Sequence, residues 1–446
     1  MRTRNSKRVA LLVLALFTMG LLFTSCADDD DGGNGNGGGA GGNGNGDGNG
    51  DLAGTTVTMF GPEVEGEAQG LVDALASFEE DTGVTIEYQG DRSFEEQIGT
   101  RIDGGDPPDI AFFPQPGKIN DFSGDAVAMP DSVMSIVEEN FDQGMIDLAT
   151  VDGELYGIPV KADLKSLVWY SPDAFTEGGY EVPETMEELL ETADTMIADG
   201  NTPFCVGIGS DAATGWPFTD WVEDFMLRLK GPDVYDSWVN HDIPFDDPDV
   251  VEVVQWVYDF MNTEGMVRGG VQNVADIPFA DAGLPLLEDE CMMHRQGNFY
   301  AANWPEGTEL GAEGEVNAFY LPTFADQDFG QVTLTGGIYA VAFSDRPEVI
   351  AALEHLASTE FADERAPTGG FLSPNKNTDT SQYPTEIEQT FAEILAEADP
   401  ARFDASDLMP GAVGAGTFWS AAVDITSGNS SVEDALADVE ASWPDE

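Results

Sequence analysis

TTVTMFGPEVEGEAQGLVDALASFEEDTGVTIEYQGDRSFEEQIGTRIDGGDPPDIAFF, residues 55–113, changes hydrophobic period repeatedly along its length. Thr55 to Phe60 alternates as a strand does. From Glu67 to Thr82 the apolar residues Ala68, Leu71, Val72, Leu75 and Phe78 form a helical stripe that ends at Gly83. Val84 to Tyr88 alternates again, Phe94 to Ile102 reads as a second helix, and Pro108 to Phe113 as a short buried strand. Strand, helix, strand, helix, strand is the start of an α/β lobe with a parallel sheet, whose ligands meet the carboxyl ends of the strands. Those ends are Gly61, Pro62 and Glu63 after the first strand and Phe113, Pro114 and Gln115 after the third. Glu63, Phe113 and Gln115 are therefore candidate ligand contacts. Asp109 either touches ligand or orients the loop that carries Gln115, the commoner role for an Asp ahead of a buried strand.

Outward from this lobe toward the N-terminus, Arg2, Arg4, Lys7 and Arg8 precede an apolar run from Val9 that continues to Phe23. This is the pattern of a signal peptide over residues 1–25, short for a spanning helix. Thr24 and Ser25 ahead of Cys26 resemble the lipobox of bacterial lipoproteins, with Phe23 where Leu is usual. The resemblance implies lipidation at Cys26; the alternative is a secreted chain with a free thiol. Residues 26–53 read as a linker, since Asp28 to Asp51 is almost purely Asp, Gly and Asn and cannot bury a core. Such a tether spans about 25–30 Å as a coil. Gly37 to Gly42 satisfies G-x-G-x-x-G by composition alone, and Asn43 to Gly54 has calcium-loop spacing without the closing Glu, so no metal is expected there.

Without the four signal-peptide cations, 13 basic residues face 84 acidic ones, a net charge of −71. Nucleic acid is excluded as a partner. The excess suits a high-salt medium, where a Debye length of about 3 Å at 1 M screens self-repulsion; an unusually acidic protein of an ordinary medium is the alternative. The roughly 390 remaining residues suit two lobes rather than one core. Cys205 and Cys291, in an oxidising compartment, are expected to form a disulfide, which over a loop of this length stabilises by about 4–5 kcal/mol in the chain-entropy model.

SFEEDTGVTIEYQG (77–90), PPDIAFF (107–113), LYGIPV (155–160), LVWYSPDAF (167–175) and VPETMEELLETA (182–193) occur in an order and spacing similar to the family 1 extracellular solute-binding proteins, the maltose-binding-like receptors of ABC importers. Met186 departs from the family, where Trp is usual. Residues 213–245, CMMHRQGNF (291–299), TGGIYAVAF (335–343) and 403–428 look like the alpha-glucoside-binding branch. The resemblance runs from Thr55 to the C-terminus. It implies an α/β, two-lobed periplasmic-binding-protein-like fold with crossing hinge strands and a central ligand cleft. The lobes would be 54–162 with 334–371 and 163–333 with 372–446. It further implies an oligosaccharide ligand, an alpha-glucoside as the narrower expectation, and ABC permease subunits as partners. The receptor would be a monomer without cofactor or metal on the extracellular face of the cytoplasmic membrane, held by its lipid alone.

A sugar offers apolar C–H faces and rings of hydroxyls, so its receptors use flat aromatic platforms with planar polar groups. The resemblance makes Trp419 a stacking residue; a helix aromatic facing the core is the alternative. Trp216 follows Gly215, and Arg295 and Gln296 follow the strand that begins at Cys291. The disulfide would staple the roots of these two loops or merely stabilise the second lobe. Arg295 presents a planar fork. The resemblance places a polar contact at Asp163 and Lys165, while Lys161 and Lys165 alternatively offset acids such as Asp163. Gly336 and Gly337 open a second crossing strand, for close ligand approach or hinge freedom. Tyr339 is a wall of the site or core. For an enzyme, His241, His294 and His355 lack metal-ligand spacing and no G-x-S-x-G elbow occurs. VGIGSDAA (206–213) resembles a nucleotide turn but lacks the ribose-binding acid. The readings that compete with a sugar receptor are a receptor for a polyamine, peptide or metal chelate, and a secreted glycosidase.

Overall fold

A computed structural model describes residues 52–444; the signal peptide, Cys26 and almost all of the linker lie outside the described residues. The strands are β1 (Thr56–Gly61), β2 (Thr85–Gly90), β3 (Ile110–Phe113), the two-residue β4 (Thr150–Val151) and β5 (Glu154–Leu155), β6 (Gly157–Leu164), β7 (Leu167–Tyr170), β8 (Met293–Arg295), β9 (Asn317–Tyr320), β10 (Thr333–Ala342) and β11 (Ala401–Phe403). β1 pairs in parallel with both β2 and β3, the α/β start that the alternation of period predicts. The expected helix over 67–82 is two, Glu65–Ala74 and Ala76–Thr82. At Leu75 the backbone tightens and its N–H turns back to the Val72 carbonyl. Gly83 ends the second helix in the left-handed conformation that lets a glycine cap it.

Two strands cross between lobes. β10 joins the first-lobe sheet through Tyr339–Ala342, antiparallel to β3, while its other end, Thr333–Thr335, runs parallel to β11. β10 also pairs with β6, antiparallel from Thr335 to Val341, opposing Gly336 to Asp163 and Gly337 to Ala162. Two residues beyond β6 the chain enters β7, the centre of the antiparallel sheet β8-β7-β9 in the second lobe. A first core gathers Phe60, Leu71, Phe94, Phe112, Val341 and Leu353; a second gathers Trp221, Phe225, Trp238, Val254 and Met293. A third, smaller cluster holds Trp169, Tyr300, Trp304 and Phe391 around the Cys205–Cys291 disulfide, whose Cα atoms are 5.6 Å apart. The strand expected to begin at Cys291 is β8, so Arg295 is its last residue rather than part of a following loop. Every residue of β6 is buried, Lys161 and Asp163 included. Charges on such a strand must find partners, and those partners build the site.

Candidate ligand-binding site

The two crossing strands floor a cavity of about 120 Å³. Glu63 at the end of β1, Gln115 at the end of β3, Arg92 beyond β2 and Glu95 on the helix Phe94–Asp103 form the first-lobe wall. Lys161, Asp163, Lys165 and Gly337 lie on the floor, and Trp216, Phe279, Phe299, Asp404, Asp407 and Trp419 form the second-lobe wall. Gly215 has φ 121°, and a Cβ there would run into the Trp419 carbonyl. Only glycine therefore allows the helix Trp216–Leu229 to start beside Trp419.

Lys161 and Lys165 each organise a buried ionic cluster. Lys161 Nζ donates to Glu63 Oε1 at 2.9 Å and lies 3.4 Å from Glu67 Oε2 and 3.8 Å from Asp163 Oδ1. Arg365 donates to both Glu63 oxygens, at 2.8 and 2.7 Å. Burial alone would raise the Glu63 pKa, but Arg365 and Lys161 together hold it below the usual carboxylate range. Lys165 Nζ is 3.0 Å from Asp220, 2.5 Å from Asp404 and 4.0 Å from Asp407. Here acids outnumber the cation. Desolvation, reinforced by Asp404, pushes Asp220 up to about 7, and burial raises Glu223 and Asp407 well above their ordinary values. Asp404 goes the other way, to about 2, because Lys165 outweighs its burial. Asp220, Glu223 and Asp404 bring carboxylate oxygens within 4.8 Å of one another, spacing that suits a cation, and the Lys165 ammonium bonds two of the three.

Three acceptors of the cavity have no hydrogen-bond partner among the described residues: Glu95 Oε2, Gln115 Oε1 and Asp163 Oδ1, all buried, the last with the Lys161 ammonium 3.8 Å away. Gln115 Nε2 donates to the other Glu95 oxygen at 3.2 Å, which turns the amide oxygen free. Burial raises the pKa of both Glu95 and Asp163. An unpaired buried acceptor costs about 1–3 kcal/mol, a cost that a donor brought by a ligand removes. The aromatic component is the Trp216 ring, edge-on to Phe279 at 4.9 Å and 6.0 Å from Phe299, with Trp419 beside it, its Nε1 toward Ser406 Oγ at 3.4 Å.

Of the residues singled out in the sequence, Glu63, Gln115, Asp163, Lys165, Trp216, Gly337 and Trp419 come together at this cavity. Six others do not. Phe113 is fully buried in the first core, against Phe94 at 5.2 Å. Asp109 accepts from Thr58 N–H and Oγ1 and from Arg346, on the outer side of the lobe. Arg295 turns into the second lobe, where its guanidinium donates to Asp224 and Asp220. Gln296 folds back so that its Oε1 accepts the Gly297 N–H. Tyr339 is core, its hydroxyl donating to the Met145 carbonyl. Gly336 makes room for a neighbour instead of a ligand, since a Cβ there would press on Lys165 Cε at 2.7 Å. The reading missed Glu67, Arg92, Glu95, Phe279, Phe299, Asp404 and Asp407. Only the aspartates left a trace: in FDASD, Asp404 caps the short helix Ala405–Leu408 by accepting the Asp407 N–H at 2.9 Å.

The sequence profile of the bacterial extracellular solute-binding proteins matches residues 61–352, well over half of the chain. The chain belongs to that family. Among solute-binding relatives, the osmoprotective compounds-binding protein of Synechocystis is 41% identical over 393 residues, covering 87% of this chain and 92% of the relative. The alpha-glucosides-binding periplasmic protein of Rhizobium meliloti is 38% identical over 406 residues, 88% of each. At 17% identity the fold extends to a solute receptor described as preferring β-D-galactopyranose, with TM-score 0.74 over 87% of this chain and 98% of that one. A maltose-bound T. maritima protein matches at 18% identity and TM-score 0.69, over the same shares. The two-lobed solute-binding fold is thus shared, and this solute-binding protein is a receptor for ABC import and not an enzyme. Its ligand is a small molecule and its partners are transporter permease subunits.

Proposed function

We propose that this receptor binds a neutral polyhydroxylated ligand, an alpha-glucoside of disaccharide size, for ABC-type import. The carrying observation is the set of three buried acceptors without a hydrogen bond among the described residues, Glu95 Oε2, Gln115 Oε1 and Asp163 Oδ1, in one cavity with Trp216 and Trp419. A sugar supplies what that set lacks, hydroxyl donors for the acceptors and C–H faces for the rings. The alpha-glucosides-binding relative above supports this class, and the osmoprotective compounds-binding relative supports a small solute. The strong acidity, formally −67 at pH 7, accords with a medium in which osmoprotectants are needed. In this reading lobes 54–162 with 334–371 and 163–333 with 372–446 hinge about β6 and β10, and ligand favours closure because only the closed form offers it both walls. Cys26, once acylated, and the 26–53 linker would tether a monomeric receptor outside the cytoplasmic membrane.

A polyamine is the second reading, favoured by six carboxylates against three cations around the cavity. Tryptophan fluorescence of the mature chain, titrated in high salt with disaccharides, amino acids and polyamines, decides between them. Saturable change with an alpha-glucoside, weakened at least tenfold in Trp419→Ala, is expected. A response to spermidine and none to any sugar overturns the carbohydrate reading.

A further inference from the structure

The cations lining the cavity are not equivalent. Lys161 is paired with Glu63 and Glu67, and Lys165 with Asp220 and Asp404. Arg92, in a chain where acids exceed bases about fivefold, has no carboxylate within ion-pair distance and donates no hydrogen bond among the described residues. Its guanidinium instead lies over the Phe279 ring, 4.5 Å from the centroid. Arg92 belongs to the loop after β2 in the first lobe, and Phe279 to the second-lobe helix Phe279–Ala282, packed edge-on to Trp216. The contact therefore bridges the two walls of the cavity and exists only when the lobes meet. A guanidinium seated over a ring and making no hydrogen bond keeps its N–H groups free to engage two acceptor oxygens at once.

We propose that Arg92, seated on Phe279, is a specificity-determining residue that reads two adjacent hydroxyl oxygens of the bound sugar. This rests on the sugar reading above. The neighbours favour hydroxyls over a carboxylate, because Arg92 shares its wall with the acidic side chains of Glu67 and Glu95 and is electrostatically close to Glu67, which offsets its charge. Arg92 also complements the rest of the site, since the acceptors Glu95, Gln115 and Asp163 take protons from the ligand while Arg92 gives them.

The test is titration of the mature chain, its Arg92→Lys and Phe279→Leu variants and the double variant, with maltose, trehalose, their monodeoxy derivatives and a uronate-bearing disaccharide. Each single variant is expected to weaken the better neutral disaccharide about 10- to 100-fold, as expected for loss of a charged hydrogen bond. The double variant should lose little more than either alone. In the native chain, removing one hydroxyl of the recognised pair should cost about tenfold, and in Arg92→Lys almost nothing. A merely structural role would weaken every deoxy sugar equally. Native affinity for a neutral disaccharide combined with an unchanged Arg92→Lys, or no deoxy derivative coupled to Arg92, overturns this assignment and leaves the sugar reading standing. Tighter binding of the uronate also overturns it. Failure of the native chain to bind any neutral disaccharide sinks both.

Discussion

Lys161 and Lys165 sit four residues apart at one end of the same crossing strand, both buried and both held by acids, yet their surroundings differ in charge balance. Around Lys161, a second cation, Arg365, shares Glu63, so Glu63 stays ionised. Around Lys165, Asp220, Asp404 and Asp407 compete for one ammonium, with Glu223 behind them. Four carboxylates around one lysine cannot all stay charged in a medium of low polarity, so some hold protons at neutral pH. The first cluster is a fixed mount for the first-lobe wall; the second joins the hinge to the second lobe and carries a titratable load. The arginines near the second cluster do not discharge it fully, because Arg228 and Arg295 are directed chiefly at Asp224.

The largest effect expected from this contrast is on stability. Lys165→Met leaves Asp404 buried without its cation and Asp220 with only the longer Arg295 contact at 3.3 Å, and removing one partner of such a cluster costs about 3–5 kcal/mol. Lys161→Met leaves Glu63 with two hydrogen bonds from Arg365, so a smaller loss of about 1.5–3 kcal/mol is expected. Urea unfolding of both variants at pH 7 measures the difference. A Lys161→Met variant as damaged as Lys165→Met would show that Arg365 does not support Glu63 as described.

The pH dependence of stability comes next in size. Asp220 titrates near 7 in the fold against an ordinary 3.8, so between those values the folded chain holds a proton that the unfolded chain has released. Its contribution therefore falls as pH rises through this window, by at most about 1.4 kcal/mol per pH unit. Glu63 is shifted down, so its contribution is present above its ordinary 4.5 and lost only as pH falls below it. His294, lowered by burial to about 4 from 6.5, gives the opposite slope to Asp220 between those values, which makes the native curve alone a poor readout. The informative quantity is the difference from the native chain in urea unfolding at pH 5, 6 and 7. Asp220→Asn should remove a downward slope in that range, and Glu63→Gln should leave the slope unchanged. Equal slopes in the native chain and Asp220→Asn would place the proton elsewhere in the cluster.

The same contrast shows why the fold was more legible in the sequence than the site. Strand and helix periods from residue 55 to 113 report backbone pairing, and the parallel start of the first lobe follows from them. Strand ends locate Glu63 and Gln115 because topology directs ligands there. What a side chain faces is set by partners distant in sequence. Arg295 and Lys165 both present a cation near a strand end, but Asp224 draws the one inward and Asp404, 239 residues away from Lys165, holds the other at the cavity. Glu95 follows Phe94 of a core-facing stripe and carries no local mark of burial. Phe279 matters through a contact with Arg92 across the cleft, which no local pattern announces.

Asp109 offers the smallest expected effect and the sharpest check on reading charge from position alone. It precedes β3 much as Glu63 follows β1, and both carboxylates accept from an arginine, so local pattern treats them alike. Glu63 is 4% exposed and faces the cavity, whereas Asp109 pairs with an Arg346 side chain that is 44% exposed. Water and salt weaken such a pair to about 0–1 kcal/mol. Asp109→Asn keeps an oxygen for the Thr58 N–H and loses mainly the Arg346 charge contact. Stability should fall by under about 1 kcal/mol at low salt, and the difference should shrink in molar salt, where the Debye length is about 3 Å. Ligand affinity, read by tryptophan fluorescence, should stay within twofold of the native chain. Glu63→Gln, at matched salt, should weaken binding and keep most of its stability cost, because Lys161 and Arg365 hold it away from solvent. Salt sensitivity in Glu63→Gln equal to that in Asp109→Asn would mean that the cluster under the cavity is open to water, and the division between a buried mount and an exposed pair would fail.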